Sequence, residues 1–291
     1  METQAAIAMH NVTKSFKGFT LDIPELTIPK GFATALIGEN GAGKSTLINI
    51  LAGVRLDYKG EIIYFDNEKD ERVIRENVGY TGPGNYFMPH WTVRGVGEVS
   101  ELLFDQFHKD RYEQLCQDLG VNKTEKSIDK LSDGMKMKTT LAAVFARDTR
   151  MLLLDEPASP LDPLMRDKLC SMIRDYLDEG NGEMSVLFST HNIADMENVT
   201  DYAMIMEQGK IVEQGFVEDL KEKYIMVKGE NADADKAKDI LWGFQKNAYG
   251  YEGLCPAKDL DKLAGMDIAT ETPTLSQISV AVMKRYTSLK A

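Results

Sequence analysis

The sequence has only three cysteines in 291 residues. Cys116, Cys170 and Cys255 stand far apart, with no C-x-x-C pair. That excludes a disulfide framework and a cysteine zinc pattern, and it predicts reduced thiols in the cytoplasm. No stretch approaches the roughly 18 consecutive apolar residues of a membrane-spanning helix. The longest apolar runs, such as Met151 to Leu154, are strand-sized. Met1-Glu2-Thr3-Gln4 has no basic n-region and no following apolar region, so no signal peptide is expected. Positive charge is in short supply. Lysine and arginine total 34 against 46 aspartates and glutamates, a net charge of -12. Such a chain is poorly suited to tracking a nucleic acid backbone, and nucleic acid is not expected as a partner. Internal repeats are missing too, because each motif below occurs once. What remains is 43% hydrophobic and 27% charged, an ordinary globular composition. The length suits one large domain or two modest ones.

Strands and helices alternate along the chain. Val12, Ser15-Phe16 and Phe19 to Ile23 are strand-like, Pro29-Lys30-Gly31 is a turn, and Phe32 to Ile37 is an apolar strand. A glycine-rich turn follows, then a helix with Leu47, Ile50 and Leu51 on one face. Gly60 to Phe65 and Val78 to Tyr80 are further strands, and Thr81 to Asn85 is a loop dense in breakers. Residues 92–147 turn helical. Val99, Leu102, Leu103 and Phe107 form one apolar face, and Met137, Leu141, Val144 and Phe145 form another. Strands return at Met151 to Leu154 and Val186 to Ser189, and a small hairpin spans Tyr202 to Glu213. The pattern predicts an α/β fold with a largely parallel sheet. From about Tyr224 the composition shifts. The chain closes on an amphipathic helix (Leu275, Ile278, Val282, Met283, Tyr286) behind a Thr274/Gln277 capping box, so residues 223–291 are expected to form a small appended subdomain.

Gly38-Glu39-Asn40-Gly41-Ala42-Gly43-Lys44-Ser45 fits the phosphate-loop pattern G-x-x-x-x-G-K-[ST], with an apolar strand before it and a helix from Thr46 after it. Glycines let backbone N–H groups converge on phosphate oxygens, and the helix N-terminus adds the positive end of its dipole. Lys44 can reach the β- and γ-phosphates, and the Ser45 hydroxyl can ligate Mg²⁺. Four apolar residues then run into Asp155-Glu156-Pro157. Asp155, at the end of a buried strand, is placed to coordinate Mg²⁺. Glu156 would face the γ-phosphate and polarise a water.

With these motifs in place, residues 5–222 resemble the ATP-binding subunit of an ABC transporter. Leu131-Ser132-Asp133-Gly134-Met135 resembles the signature L-S-G-G-Q, Ser159-Pro160-Leu161-Asp162 the D-loop, and Ser189-Thr190-His191 the switch histidine. Phe16 stands where the family stacks an aromatic on adenine. The resemblance implies a P-loop NTPase of ABC type. Such a fold has a RecA-like core, an antiparallel β subdomain, a helical subdomain at about residues 90–147, and here a small C-terminal α/β appendage. It implies ATP and Mg²⁺ as ligands. Phe16 and Asn40, Gly41, Ala42, Gly43, Lys44, Ser45 and Thr46 would hold the nucleotide, Ser45 and Asp155 the metal. Two chains would pack head to tail, in a homodimer or with a related subunit, so that Ser132 and the Gly134 N–H meet the γ-phosphate of the other chain. Glu156, His191 and Lys44 would carry catalysis, and Pro160 and Asp162 would link the two sites. The partners implied are integral membrane permease subunits, with the protein on the cytoplasmic face.

Two departures stand out. The signature carries Asp133 and Met135 where the family has glycine and glutamine. L-S-x-G-M followed by Lys136 and Lys138 is similar to the branch serving exporters with separate permease subunits, and Asp133 is expected to point away from the nucleotide. The glutamine that usually follows the strand equivalent to Val78–Tyr80 is missing. Its place falls near Pro83, with Asn85 as a candidate replacement. The readings that follow are an energy-coupling ATPase of an exporter, a soluble ABC-type ATPase not coupled to transport, or a regulatory nucleotide-binding subunit with low turnover.

Overall fold

The computed structural model describes residues 4–82, 87–122 and 125–288. Pro83 and Asn85 lie outside them. The chain begins with a hairpin, β1 (Ala5–Phe16) and β2 (Phe19–Pro29), followed by β3 (Ala33–Ile37), α1 (Lys44–Leu51) and β4 (Lys59–Tyr64). Then come α2 (Glu71–Asn77), β5 (Val78–Thr81), α3 (Val93–Leu103), α4 (Lys109–Asp118), α5 (Asp133–Phe145) and β6 (Met151–Leu154). The second half holds α6 (Pro163–Glu179), β7 (Ser185–Thr190), β8 (Tyr202–Glu207), β9 (Lys210–Phe216) and α7 (Val217–Lys223). It ends with β10 (Tyr224–Gly229), α8 (Ala234–Ala237), β11 (Trp242–Lys246), β12 (Tyr251–Pro256), β13 (Ile268–Glu271) and α9 (Leu275–Ser288).

Six strands form the central sheet in the order β5-β6-β7-β3-β8-β9, all parallel except the β8–β9 hairpin. This is the expected α/β core. Every residue of β3, β6 and β7 is buried, as befits strands covered on both faces. The loops after these strands therefore emerge side by side at one edge, where open α/β sheets bind ligands. Beside this core lies the antiparallel sheet β2-β1-β4. Its inward residues Ile7, Met9, Val12, Leu21, Ile23, Leu26 and Ile28 share one core cluster with Leu47 and Ile50 of α1.

The helical region corrects one expectation. Val99, Leu102, Leu103 and Phe107 do not form a buried face. The inner face of α3 is Val93, Val96, Gly97 and Ser100, whereas Leu102 is 85% and Leu103 64% exposed. The reason is Gly97. A Cβ there would sit 2.6 Å from the Tyr112 ring, so the aromatic of α4 fills the space that a side chain would take and turns the leucines outward. Phe107 lies beyond the helix, in a bridge with Arg147. The second predicted face holds: Met137, Leu141, Val144 and Phe145 are all buried.

At the C-terminus, β11-β12-β10-β13 form a four-stranded antiparallel sheet. The capping box is present. Thr274 N donates to Gln277 Oε1 at 2.9 Å and Gln277 N to Thr274 Oγ1 at 3.1 Å. Leu275, Ile278, Ala281 and Val282 of α9 join the main core cluster rather than a separate one, and Glu197 accepts from Leu275 N at 2.9 Å. No helix among the described residues is long and apolar enough to cross a membrane.

Candidate active site

The loop from Gly38 to Gly43 joins β3 to α1. Two of its glycines are required by close approach. A Cβ on Gly38 would lie 2.4 Å from the Met206 carbonyl oxygen of β8. Gly43 has φ +111°, and a Cβ there would meet the Phe19 ring at 2.8 Å. Phe19 thus props the loop from the β1–β2 hairpin, a role that no sequence motif announces. Its neighbour Phe16 is 38% exposed and lies 6.1 Å from it, centroid to centroid. Lys14 and Arg55 both stand 5.2 Å from the Phe16 centroid and both pair with Asp57. Asn40 and Gly41 are exposed, Ala42 is buried, and Ser45 and Thr46 are half-buried in the first turn of α1.

Lys44 is 5% exposed. Its Nζ donates to the Gly38 and Glu39 carbonyls at 2.7 and 3.2 Å and pairs with Glu156 Oε1 at 3.2 Å. The other oxygen of Glu156, Oε2, lies 2.8 Å from His191 Nδ1. Glu156 itself has φ +51°, a left-handed conformation that costs a non-glycine residue about 1–3 kcal/mol. The strained backbone sends its N–H to Ser189 Oγ at 2.9 Å and its carboxylate to Lys44 and His191.

Asp155 is fully buried. Its Oδ1 accepts from Ser189 Oγ at 2.5 Å, while its Oδ2 accepts no hydrogen bond from the described residues. Burial raises its pKa above the ordinary carboxylate value, against the opposing Ser189 and Ser45 hydroxyls and Lys44. A buried carboxylate oxygen without a partner, with a serine hydroxyl and a backbone loop beside it, is the hard oxygen donor set that suits Mg²⁺. Ser189 serves both acids at once. It could have been found from strand register, because β6 and β7 pair Leu154 with Phe188, which puts Ser189 beside Asp155.

Three strand ends therefore converge: β3 delivers Lys44, β6 delivers Asp155 and Glu156, and β7 delivers His191. Ser132 and Gly134 are placed elsewhere, at the start of α5. Ser132 caps that helix by accepting from Met135 N at 3.3 Å. A Cβ on Gly134 would lie 2.9 Å from the Pro160 carbonyl oxygen, so the signature turn rests on the Ser159–Asp162 loop. Asp133 is 89% exposed and faces Lys136 at 3.5 Å. Asp133, Lys136 and Thr140 line one wall of a cleft of about 520 Å³, and Asn40, Glu156 and His191 line another. Ser132 is exposed at this helix N-terminus.

The ABC transporter family model matches residues 21–159. The thiamine import ATP-binding protein ThiQ of Haemophilus influenzae is 32% identical over 191 residues, spanning 64% of this chain and 88% of that protein. The tungstate uptake system ATP-binding protein TupC of Peptoclostridium acidaminophilum is 29% identical over 227 residues, spanning 71% and 97%. Human ATP-binding cassette sub-family A member 10 is 30% identical over 232 residues, which is 75% of this chain but only 15% of that much longer protein. Among solved structures, an ATP-binding subunit of an ABC transporter superposes with TM-score 0.65 at 21% identity, over 75% of this chain and 92% of that one. A bacterial ABC transporter cassette solved as a dimer does so with TM-score 0.63 at 21% identity, over 72% and 98%. At that identity the structures speak for the fold alone.

Proposed function

The chain belongs to the family of ABC transporter ATP-binding proteins, and from that premise we propose that it is the ATP-hydrolysing subunit of a membrane exporter, working as a head-to-tail dimer. It is an ATP-binding transport ATPase. The convergence of Lys44, Glu156 and His191 carries the proposed site. Lys44 exchanges its two loop carbonyls for oxygens of the β- and γ-phosphates. Glu156, released from Lys44, orients and deprotonates the attacking water, and His191 holds the carboxylate toward it. Ser45 and Asp155 would hold Mg²⁺, which when bound neutralises phosphate charge. Phe16 stacks on the base. Ser132 and the Gly134 N–H close on the γ-phosphate of the other copy, and Pro160 and Asp162 join the two sites.

Residues 1–222 are assigned to the nucleotide-binding domain, with a helical subdomain at about 90–147, and 223–291 to an accessory subdomain. The exposed Leu102 and Leu103 favour docking of a permease on the helical subdomain at the cytoplasmic face. Export is supported by the signature Leu131–Met135 followed by Lys136 and Lys138. The named import systems among its relatives make direction the point to test. Isolating the membrane protein that co-purifies from detergent extract, and measuring ATP-driven flux in vesicles with the ATPase on the outside, tests it. Loss of an outside marker into the lumen means export, and release of a loaded marker means import. Recovery without any membrane partner would favour an ATPase not coupled to transport.

A further inference from the structure

One set of hydrogen bonds joins two of the motifs above through Arg166, Asp195 and Asn192, which belong to neither. Arg166 sits one turn into α6, the helix that Asp162 caps by accepting from Met165 N at 3.0 Å. Its Nε donates to the Leu161 carbonyl at 3.0 Å, and its Nη1 donates to Asp195 Oδ2 at 2.7 Å. The same Asp195 oxygen accepts from Asn192 Nδ2 at 2.9 Å. Asn192 directly follows His191, and its backbone is locked to Thr190. Asn192 N donates to Thr190 Oγ1 at 3.0 Å, and Thr190 Oγ1 donates to the Asn192 carbonyl at 2.9 Å. A continuous path thus runs from the Leu161 carbonyl through Arg166, Asp195 and Asn192 to His191. Arg166 and Asp195 are each about 30% exposed, so the pair is partly shielded from solvent.

We propose that Arg166 is a positioning residue that ties the loop Ser159–Asp162 to His191, so that displacement of the loop by a second copy resets the histidine against Glu156. This rests on the assignment of His191 to the active site. A guanidinium suits the task because its planar fork holds two acceptors at a fixed spacing, which a lysine ammonium cannot do. The loop lies between β6 and α6. It also supports the signature turn, since Gly134 approaches the Pro160 carbonyl, so pressure on either segment reaches Arg166. Loss of the fork leaves the nucleotide contacts of Lys44 and Phe16 in place and lets His191 drift.

Arg166→Lys and Asp195→Asn are the variants to make, in the full chain. Expected is a fall of about tenfold in kcat with KM for ATP within about twofold, because geometry and not binding is disturbed. Combining Arg166→Lys with Asp195→Asn adds little to either alone. The chain has four histidines, so an imidazole NMR spectrum of histidine-labelled protein, assigned with His191→Gln, reads His191 directly. Its resonance is expected to shift in Arg166→Lys while those of His10, His90 and His108 stay fixed. An unmoved His191 resonance, or unchanged kcat in both variants, overturns the proposal. If His191→Gln itself keeps full turnover, the assignment of the active site fails first and the proposal falls with it, an outcome distinct from failure of the tie alone.

Discussion

Lys44 and Glu156 form an ion pair of 3.2 Å that joins the first turn of α1 to the end of β6. An ammonium has three protons to donate. Two are directed to the Gly38 and Glu39 carbonyls, and the Glu156 carboxylate stands beside the charge at 3.2 Å as an ion pair. The lysine thus links the phosphate-loop carbonyls to the proposed general base, Glu156. A pair this well buried keeps both groups in place without leaving either charge alone.

Two variants of this pair should separate binding from chemistry. Lys44→Ala removes the ammonium paired with Glu156, and ATP affinity should fall by at least about tenfold, read by isothermal calorimetry. Unchanged affinity would refute the phosphate-loop assignment. Glu156→Gln keeps the shape and removes the base. Turnover should drop about 10²–10⁴-fold while ATP binding persists. The variant should elute as a dimer in saturating ATP with Mg²⁺. A monomer under those conditions would count against the head-to-tail sandwich.

Asp155→Asn should stabilise the nucleotide-free protein and abolish Mg²⁺-dependent turnover. The folded-state pKa of Asp155 is raised by burial, so the ionised group opposes folding at neutral pH. That cost is present above the raised value and disappears as pH falls through it toward the unfolded value of 3.8. Melting temperature should accordingly be higher for the variant at pH 7, and the gap should close in acid. A gap that widens in acid would contradict the buried charge.

Phe16→Ala should raise KM for ATP and leave kcat nearly unchanged. Base stacking on an aromatic ring is worth about 1–3 kcal/mol, a factor of about 5–150. Phe16→Tyr or Trp should restore it, because either ring offers the same face. Steady-state kinetics at saturating Mg²⁺ reads both. An unaltered KM in Phe16→Ala would place the base elsewhere.

The phosphate loop and the Asp155-Glu156 pair were legible because each is a contiguous stretch that directly follows an apolar strand. The central sheet was legible for a related reason: its core strands β3, β6 and β7 are short runs of mostly apolar residues. What escaped depends on partners distant in sequence. Gly97 faces inward only because Tyr112, fifteen residues later, fills its place. Periodicity instead chose the larger Leu102 and Leu103. Ser189 acquires its double role from pairing between β6 and β7, and Phe19 from a hairpin folding over Gly43. Neither relation leaves a local pattern. Pro83 and Asn85 lie outside the described residues.

Arg147 supplies the last prediction. It is 6% exposed, and its Nη2 donates to the Arg75 and Glu76 carbonyls at 3.0 and 2.9 Å, which closes the C-terminal end of α2. Its Nη1 reaches the Val78 carbonyl at 3.4 Å, and its guanidinium carbon stands 3.7 Å from the Phe104 centroid. One planar group therefore binds α2 and β5 to the segment after α3. Arg147→Met keeps the apolar stem against Phe104 but takes the donor from the buried Val78 carbonyl and from the part-buried Arg75 and Glu76 carbonyls. At about 1–3 kcal/mol for a carbonyl stranded out of water, and with only the Val78 bond fully buried, the loss should be about 1–3 kcal/mol. Arg147→Lys should recover only part of it, since one ammonium cannot span the carbonyls and stack on the ring together. Because β5 pairs with β6, whose end carries Asp155, loosening should reach the site. Urea unfolding should show a lower midpoint with an unchanged slope. ATP should recover part of the lost stability by binding the folded form alone. A midpoint equal to that of the parent would mean that water replaces the guanidinium at no cost, and Arg147 would not be the tie that its geometry describes.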